Sequence, residues 1–204
     1  MSEAFPEKVG TGFSSENAQG NAVSALEGVS HKGFVDVAEA GLRGMITLRG
    51  DLSSARMKKA VKAAAGTAIP APRRIVTEGD KSAAWMSPDE LLILVPYAEA
   101  VATVKTLEEA LTGEHHLVAD VSDARSVFTV KGARAQEALM KLCPVDFDTL
   151  AEGEIRRTRA AQVACAFWRS AEDEFTLVSF RSVAGYVMGL LDVSARPGSE
   201  LFPA

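Results

Sequence analysis

The side chains best suited to chemistry are three histidines, two cysteines and a tight group of arginines. His115 and His116 are neighbours, so they cannot share one face of a helix or strand, and His31 is remote in sequence. Metal ligands converge through spacings such as HxxxH or CxxC, and neither occurs here. The histidines read as surface or turn residues. Cys143 stands at the end of a helical pattern just before Pro144, with Lys141 close by. A thiolate nucleophile needs a positive setting and usually a nearby base. No motif joins this cysteine to a histidine, so a structural role is the better reading. Cys165 lies in an apolar, strand-like run and reads as core.

The glycines form neither GxxxxGK[ST] nor GxGxxG between a strand and a helix, and there is no GxSxG elbow. The acid pairs Glu108-Glu109 and Asp173-Glu174 fall on a helix and a hairpin tip, where solvated charge is the ordinary reading. Arg156, Arg157 and Arg159 form the densest basic cluster. Arginine grips carboxylates and phosphates bidentately, so these residues suit a ligand or partner contact. They equally suit an exposed strand edge protected by charge. No catalytic, cofactor-binding or metal-binding residue is expected in this chain.

What must position these residues is a phrase that the chain uses twice. Asp120–Gly132, DVSDARSVFTVKG, reads as a strand, a tight turn and a β-branched and aromatic strand closed by glycine. ARAQEALMKLC follows, rich in good helix formers. The earlier copy is Asp36–Gly50, DVAEAGLRGMITLRG, in which Arg43 answers Arg125 and Glu39 answers Asp123. Asp120 follows Asp36 by 84 positions and Gly132 follows Gly50 by 82, so the first copy has the longer turn. AAWMSPDELLILVP is likewise matched by CAFWRSAEDEFTLVSF, with Trp85 and Trp168 83 positions apart. Strand–Gly–helix is a common phrase, but an ordered series of matches points to duplication in two copies.

Taken in order, residues 1–30 read as a tail rich in Ser, Gly, Asn and Glu. It is either a disordered terminus or an arm that orders on a partner, with Phe5 and Phe13 as anchors. A single domain is expected over 31–198, built of two units at about 33–113 and 114–195, with a C-terminal tail at 199–204. Within the first unit, ARMKKAVKAAA is an amphipathic helix with Ser and Asp caps before it and Gly66 after it. A second helix follows, with Val101, Val104, Leu107 and Leu111 at helical spacing. EIRRTRAAQVACAFW in the second unit is one bent strand or two. The closing helix places Val183, Val187, Leu190 and Leu191 on one side. Each unit reads β-β-α-β-β-β-α, and hairpin-length links argue for antiparallel sheets in an α+β class.

A chain of 204 residues is long enough to bury a sizeable core. Its 47% hydrophobic and 24% charged content is ordinary for a globular protein. A net charge of −5 argues against a nucleic-acid partner. No apolar run approaches the ~20 residues that span a bilayer, so no membrane partner is expected. Two cysteines without a secretory pattern lead us to expect a reduced, cytoplasmic protein.

At DVSDARSVFTVKGARAQEALMKLCPVDF the sequence resembles the glycine-cleavage T-protein (aminomethyltransferase) superfamily. Those folate-binding folds carry a similar Asp-[Val/Leu]-Ser, strand, Gly, helix phrase in a duplicated β-β-α-β-β-β-α unit. Within the superfamily the chain is most similar to the gamma-subunit family of heterotetrameric sarcosine oxidases. RGMITLRGD, WMSPDELLILVP, RTRAAQVACAFWR and EFTLVSFRSVAGYVMGLL carry that likeness, which covers about Gly33–Val193. T-proteins have a Gly-Gly-x-x-Asp-Asp step before the second hairpin, whose acid serves folate chemistry. AEGEIRRTRAAQVA instead offers arginines and no acid after Glu154. Related iron–sulfur-assembly folate proteins resemble KGCYxGQE where this chain has KLCPVDF. Neither active site carries over.

The resemblance therefore implies a non-catalytic subunit of an oxidoreductase complex. That complex would demethylate sarcosine oxidatively to glycine, release hydrogen peroxide and pass a one-carbon unit to tetrahydrofolate. It implies alpha, beta and delta partner subunits, with FAD, FMN, NAD and tetrahydrofolate held by the partners and none by this chain. Docking would use a permanent interface, which for obligate complexes runs to roughly 2,000–5,000 Å². Phe5, Phe13, Arg156, Arg157 and Arg159 are the residues expected there, and self-association of the isolated chain is expected if that face is apolar. Two alternatives stay open: a stand-alone folate-binding or aminomethyltransferase-like protein, and a gamma-like subunit of another N-methyl amine demethylating complex.

Overall fold

The computed structural model describes residues 22–202. Its strands are β1 (Ser30–Lys32), β2 (Asp36–Glu39), β3 (Gly44–Gly50), β4 (Ile75–Glu78), β5 (Lys81–Ser87), β6 (Glu90–Val95), β7 (His116–Asp120), β8 (Arg125–Lys131), β9 (Ile155–Ala160), β10 (Val163–Ala171) and β11 (Glu174–Phe180). The helices are α1 (Ala55–Ala65), α2 (Ala100–Leu111), α3 (Ala135–Met140) and α4 (Ala184–Ala195). One sheet has the order β1-β2-β8-β11-β10-β9 and the other β4-β5-β6-β3-β7, and every pairing is antiparallel.

From β2 to α2 and again from β7 to α4 the elements follow the order β-β-α-β-β-β-α. Each half lends its first strand to the other half's sheet. Asp36–Glu39 pairs with β8, and His116–Asp120 pairs with β3. The register breaks recur too, between Trp85 and Ser87 in one hairpin and between Arg169 and Ala171 in the other. Cross-strand ion pairs stand at matching places, Arg49–Glu90 at 2.7 Å and Lys131–Glu174 at 3.0 Å.

The two-residue period of the strands sorts the apolar residues into three cores. Leu91, Ile93 and Val95 of β6 face α1 and α2, while Leu92 and Leu94 face the other sheet. In β10, Cys165 and Phe167 face α3 and α4, whereas Ala166 and Trp168 point between the sheets. The layers therefore run helices, sheet, sheet, helices. Strand β6 is buried along its whole length because both of its faces are covered.

Local chemistry fixes the helix ends. The Ser54 hydroxyl accepts from Met57 N at 3.0 Å, and Gly66 closes α1 at φ 69°, where L-residues are strained. The doubtful stretch after Glu154 is two strands, β9 and β10, turned about Ala161 at φ 50°. Three expectations are corrected. Val101 is 77% exposed, because α2 buries Ala100, Thr103, Leu107 and Leu111 instead. In α4, Leu190 is only half-buried, while Met188 and Leu191 fill the core. The expected helix ARAQEALMKLC is helical only over Ala135–Met140, since the Leu142 and Cys143 amides fold back together onto the Leu139 carbonyl.

Both ends of the described chain are tied down. The N-terminal stretch is held from Ser24 onward by Glu39 and by β1, across the boundary expected at residue 30. Near the other end, Leu201 N donates to Glu137 at 3.1 Å, and the Phe202 carbonyl accepts from Arg134. Gly33 sits where the β1–β2 turn presses on the end of α4, and a Cβ there would lie 1.8 Å from the Ala195 carbonyl oxygen. Gly33→Ala is therefore expected to cost about 1–3 kcal/mol, the ordinary range for overpacking. Chemical denaturation checks this, and an unchanged midpoint would contradict it.

Candidate functional site

Three places on the described surface have unusual chemistry. The first is a cleft of about 110 Å³ between the two sheets, lined by Thr47, Met86, Glu90, Leu92, Arg125, Arg157, Ala164, Cys165, Ala166, Val178 and Phe180. Strand pairing places Arg125 directly beside Phe180, and the guanidinium lies 4.3 Å from that ring's centre. Glu90 is buried at the first position of β6, where it accepts from Arg49 at 2.7 Å and from Arg157 at 3.5 Å. Arg157 also donates to the Met86 carbonyl at 3.1 Å. Burial pulls the Arg125 pKa below the usual arginine value; Glu90 opposes that shift and Arg157 adds to it. Arginine stays charged at physiological pH even so.

The second place is the outer side of α4. This helix is apolar nearly all round, a pattern of helices that are buried on every side. Here Val187 and Leu191 fill the core while Tyr186 and Val193 stand more than half exposed. Together with Leu142, Leu190 and Leu201 they border a groove of about 610 Å³.

The third is a buried hub at Glu39. Its carboxylate accepts from Ser24 Oγ at 2.8 Å, Leu26 N at 3.1 Å and Gly28 N at 2.8 Å. Burial works against ionisation, but the bonds from Gly28, Ser24 and Leu26 together hold the carboxyl below the ordinary range. Arg181 completes the anchorage by donating to the Val23 carbonyl at 2.7 Å.

The residues singled out in the sequence have separate surroundings. Phe5 and Phe13 lie outside the described residues. Arg156, Arg157 and Arg159 all fall on β9, an edge strand, but they are not equivalent. Arg156 is half-buried and pairs with Glu154 at 2.6 Å. Arg157 serves the cleft, and Arg159 is exposed with no polar partner among the described residues. Cys143 and Cys165 are both buried and free. A bond to Cys165, together with burial, pushes the Cys143 thiol up, so it stays protonated and unreactive. Among the described residues no group of His, Cys, Asp and Glu could hold a metal ion. His31 pairs with Asp192 at 3.5 Å.

His116 bridges two acceptors, the Glu114 carbonyl at 2.9 Å and Glu108 at 3.0 Å. Both ring nitrogens face oxygen acceptors, an arrangement that favours the protonated ring. The Glu114 carbonyl and Glu108 accordingly raise its pKa above the ordinary 6.5. The stability this contributes is present below that ordinary value and is lost as pH rises through the raised one. An NMR titration should find His116 above 6.5, falling in Glu108→Gln; equal values in both proteins would contradict the bridge.

Residues 49–196 match the sarcosine oxidase, gamma subunit family. The chain belongs to that family. A sarcosine oxidase subunit gamma from Corynebacterium sp. (strain U-96) is 34% identical over 124 residues, spanning 58% of this chain and 59% of that relative's own length. Among solved structures, the chain is similar to one in heterotetrameric sarcosine oxidase from Corynebacterium sp. U-96, in complex with pyrrole 2-carboxylate. The TM-score is 0.72 at 25% identity, covering 79% of this chain and 83% of that one. The glycine cleavage system aminomethyltransferase T from Bartonella henselae shares the fold, at TM-score 0.55 and 14% identity over 76% of this chain and 45% of that one. The resemblance read in the sequence thus holds for the family and for the mixed fold with antiparallel sheets. No helix of the described residues is long and apolar enough to cross a membrane. Sequence reasoning missed the Glu39 hub and the cleft around Arg125. The signal for both was there, since Glu39 and Arg125 stood among the residues matched between the two similar sequence phrases.

Proposed function

We propose that this chain is the gamma subunit of a heterotetrameric sarcosine oxidase and contributes structure rather than catalysis. The observation that carries the reading is the family match over residues 49–196. In it the complex demethylates sarcosine oxidatively to glycine, with hydrogen peroxide formed and the one-carbon unit passed to tetrahydrofolate. Alpha, beta and delta subunits are the partners, and FAD, FMN, NAD and tetrahydrofolate bind to them. The apolar outer side of α4 supports a docking role, because a chain that stayed single would leave Tyr186 and Val193 in water. Phe5, Phe13 and the β9 arginines extend that interface in the proposal, Arg159 chiefly, since Arg156 and Arg157 have partners within the chain.

Folate chemistry by this chain itself has little to work with. Glu154, the acid nearest the place where T-proteins carry theirs, is engaged by Arg156 at 2.6 Å and by the Ala151 amide at 3.1 Å. The matching element orders and exchanged first strands support an origin by duplication, with units at about 33–113 and 114–195 in one domain over 31–198. Two buried free thiols suit a reduced cytoplasm. Affinity purification of the tagged chain from its host tests the proposal. Larger flavin-coloured chains with sarcosine-dependent peroxide release are expected. A colourless chain that comes alone and retains folate would overturn it.

A further inference from the structure

The cleft between the sheets holds an imbalance of charge that the chain does not resolve. Glu90 is shared by Arg49 at 2.7 Å and Arg157 at 3.5 Å, and Arg125 lines the same cleft. Asp89 also lies near Arg49 and Arg157, so two carboxylates answer three guanidinium groups, and neither is bonded to Arg125. Among the described residues no oxygen accepts from the Arg125 guanidinium, although that group carries five N–H donors. In the other half of the chain, Arg43 holds the matching place and donates to the Asp80 carbonyl. Of the two, the Arg125 guanidinium is the one left open, 4.3 Å from the centre of the Phe180 ring.

We infer that this cleft is a carboxylate-binding site in which Arg125 is the principal ligand-holding residue and Arg157 the second. Arg125 supplies paired N–H donors, the geometry that a carboxylate accepts bidentately. The Phe180 ring lies against the guanidinium, and Thr47 lines the cleft from the opposite sheet. Size selects the class of ligand. A volume of about 110 Å³ holds three or four waters at roughly 30 Å³ each, or one carboxylate with a carbon or two behind it. It falls well short of the roughly 300–1,000 Å³ of sites for larger ligands. The carboxylate is either that of a small free acid or that of an Asp or Glu side chain inserted by a neighbouring subunit.

The test has two arms on the full chain. Acetate is titrated while the arginine Nε–H resonances are followed by NMR, and saturable shifts at Arg125 are expected. Arg125→Gln should weaken binding at least tenfold, and Arg159→Gln, on the edge strand β9 that also carries Arg157, should leave it unchanged. The second arm purifies the assembly carrying Arg125→Gln and measures how fast this chain dissociates. If acetate does not bind but dissociation rises at least tenfold, the carboxylate belongs to a partner. Thermal unfolding of the variant comes first; should Arg125→Gln fail to fold, Arg157→Gln at the exposed rim carries both arms. Acetate binding that Arg159→Gln abolishes equally, or no effect in either arm, would overturn the inference. The dissociation arm rests on the proposed subunit role and the acetate arm does not, so the two readings fail separately.

Discussion

Replacing Phe167 by alanine is expected to destabilise the chain by about 3–5 kcal/mol, the range for removing a large aromatic side chain from a core. Phe167 is fully buried on β10, where it meets Phe147 face to face at 5.3 Å and Phe175 edge-on at 6.2 Å. Phe147 and Phe175 also meet edge-on, at 6.0 Å, so the three rings close on one another. Phe147 comes from the loop between α3 and β9, and Phe175 from β11. Phe167 is therefore the ring that holds a loop without regular structure onto the sheet. The cavity left by alanine could not refill, because Leu177, Val187 and Leu191 around it are already fully buried. At roughly 2–4 °C per kcal/mol for a chain of this size, the melting temperature should fall by roughly 6–20 °C. A fall below about 2 °C would mean that the cluster is not the centre of this core.

Glu39→Gln should release the N-terminal segment while leaving the two sheets folded. The carboxylate accepts three bonds from residues 24–28, and Glu39 N in turn donates to the Val29 carbonyl at 2.9 Å. A glutamine has one carbonyl oxygen in place of two anionic ones, so at least one of those donors loses its partner. A bond to a charged acceptor is worth about 1.5–3 kcal/mol, which is large against the few contacts that hold a three-residue strand. Acid should do the same to the native protein. The Glu39 pKa is held below 4.5, so the stability it adds is present above that value and disappears as pH falls through the depressed one. Hydrogen exchange at Leu26, Gly28 and Val29 should accelerate at least tenfold in the variant at neutral pH. Unchanged exchange there would show that Arg181 and β1 suffice without the carboxylate.

These two sites also mark what the sequence made legible. The β10–β11 hairpin was readable from two strand-like apolar runs about a charged tip, but that Phe167 and Phe175 share a face depends on the pairing register, which breaks between Arg169 and Ala171. The helices α1 and α2 were readable from spacing, although α2 rotates so that Ala100 and Thr103 turn inward and Val101 outward. Apolar type did not decide that rotation. The packing of α2 on α1 and the sheet did, a non-local effect that a window of residues does not hold.

Glu39 illustrates a different limit. A glutamate at the end of a short strand looks solvated until the chain 11 to 15 residues earlier folds back over it. The same is true of β1, three residues with exposed side chains whose only mark is their pairing with β2. The exchange of first strands was out of reach for a related reason. The matched sequence phrases put β2 and β7 at corresponding positions, but correspondence does not say which sheet each strand joins. Arg125 was visible as the counterpart of Arg43. Only the positions of Phe180, Glu90 and Arg157, from three other strands, make it a site.

The most direct test of the account is the mass and composition of the particle that carries this chain in its host. The tagged chain, purified at native expression level and weighed by native mass spectrometry, should appear in an assembly of four different subunits. Sarcosine-dependent peroxide release should follow that mass through the column. A chain that migrates by itself at its own 21.6 kDa, with the peroxide-forming activity in fractions that lack it, would contradict the account.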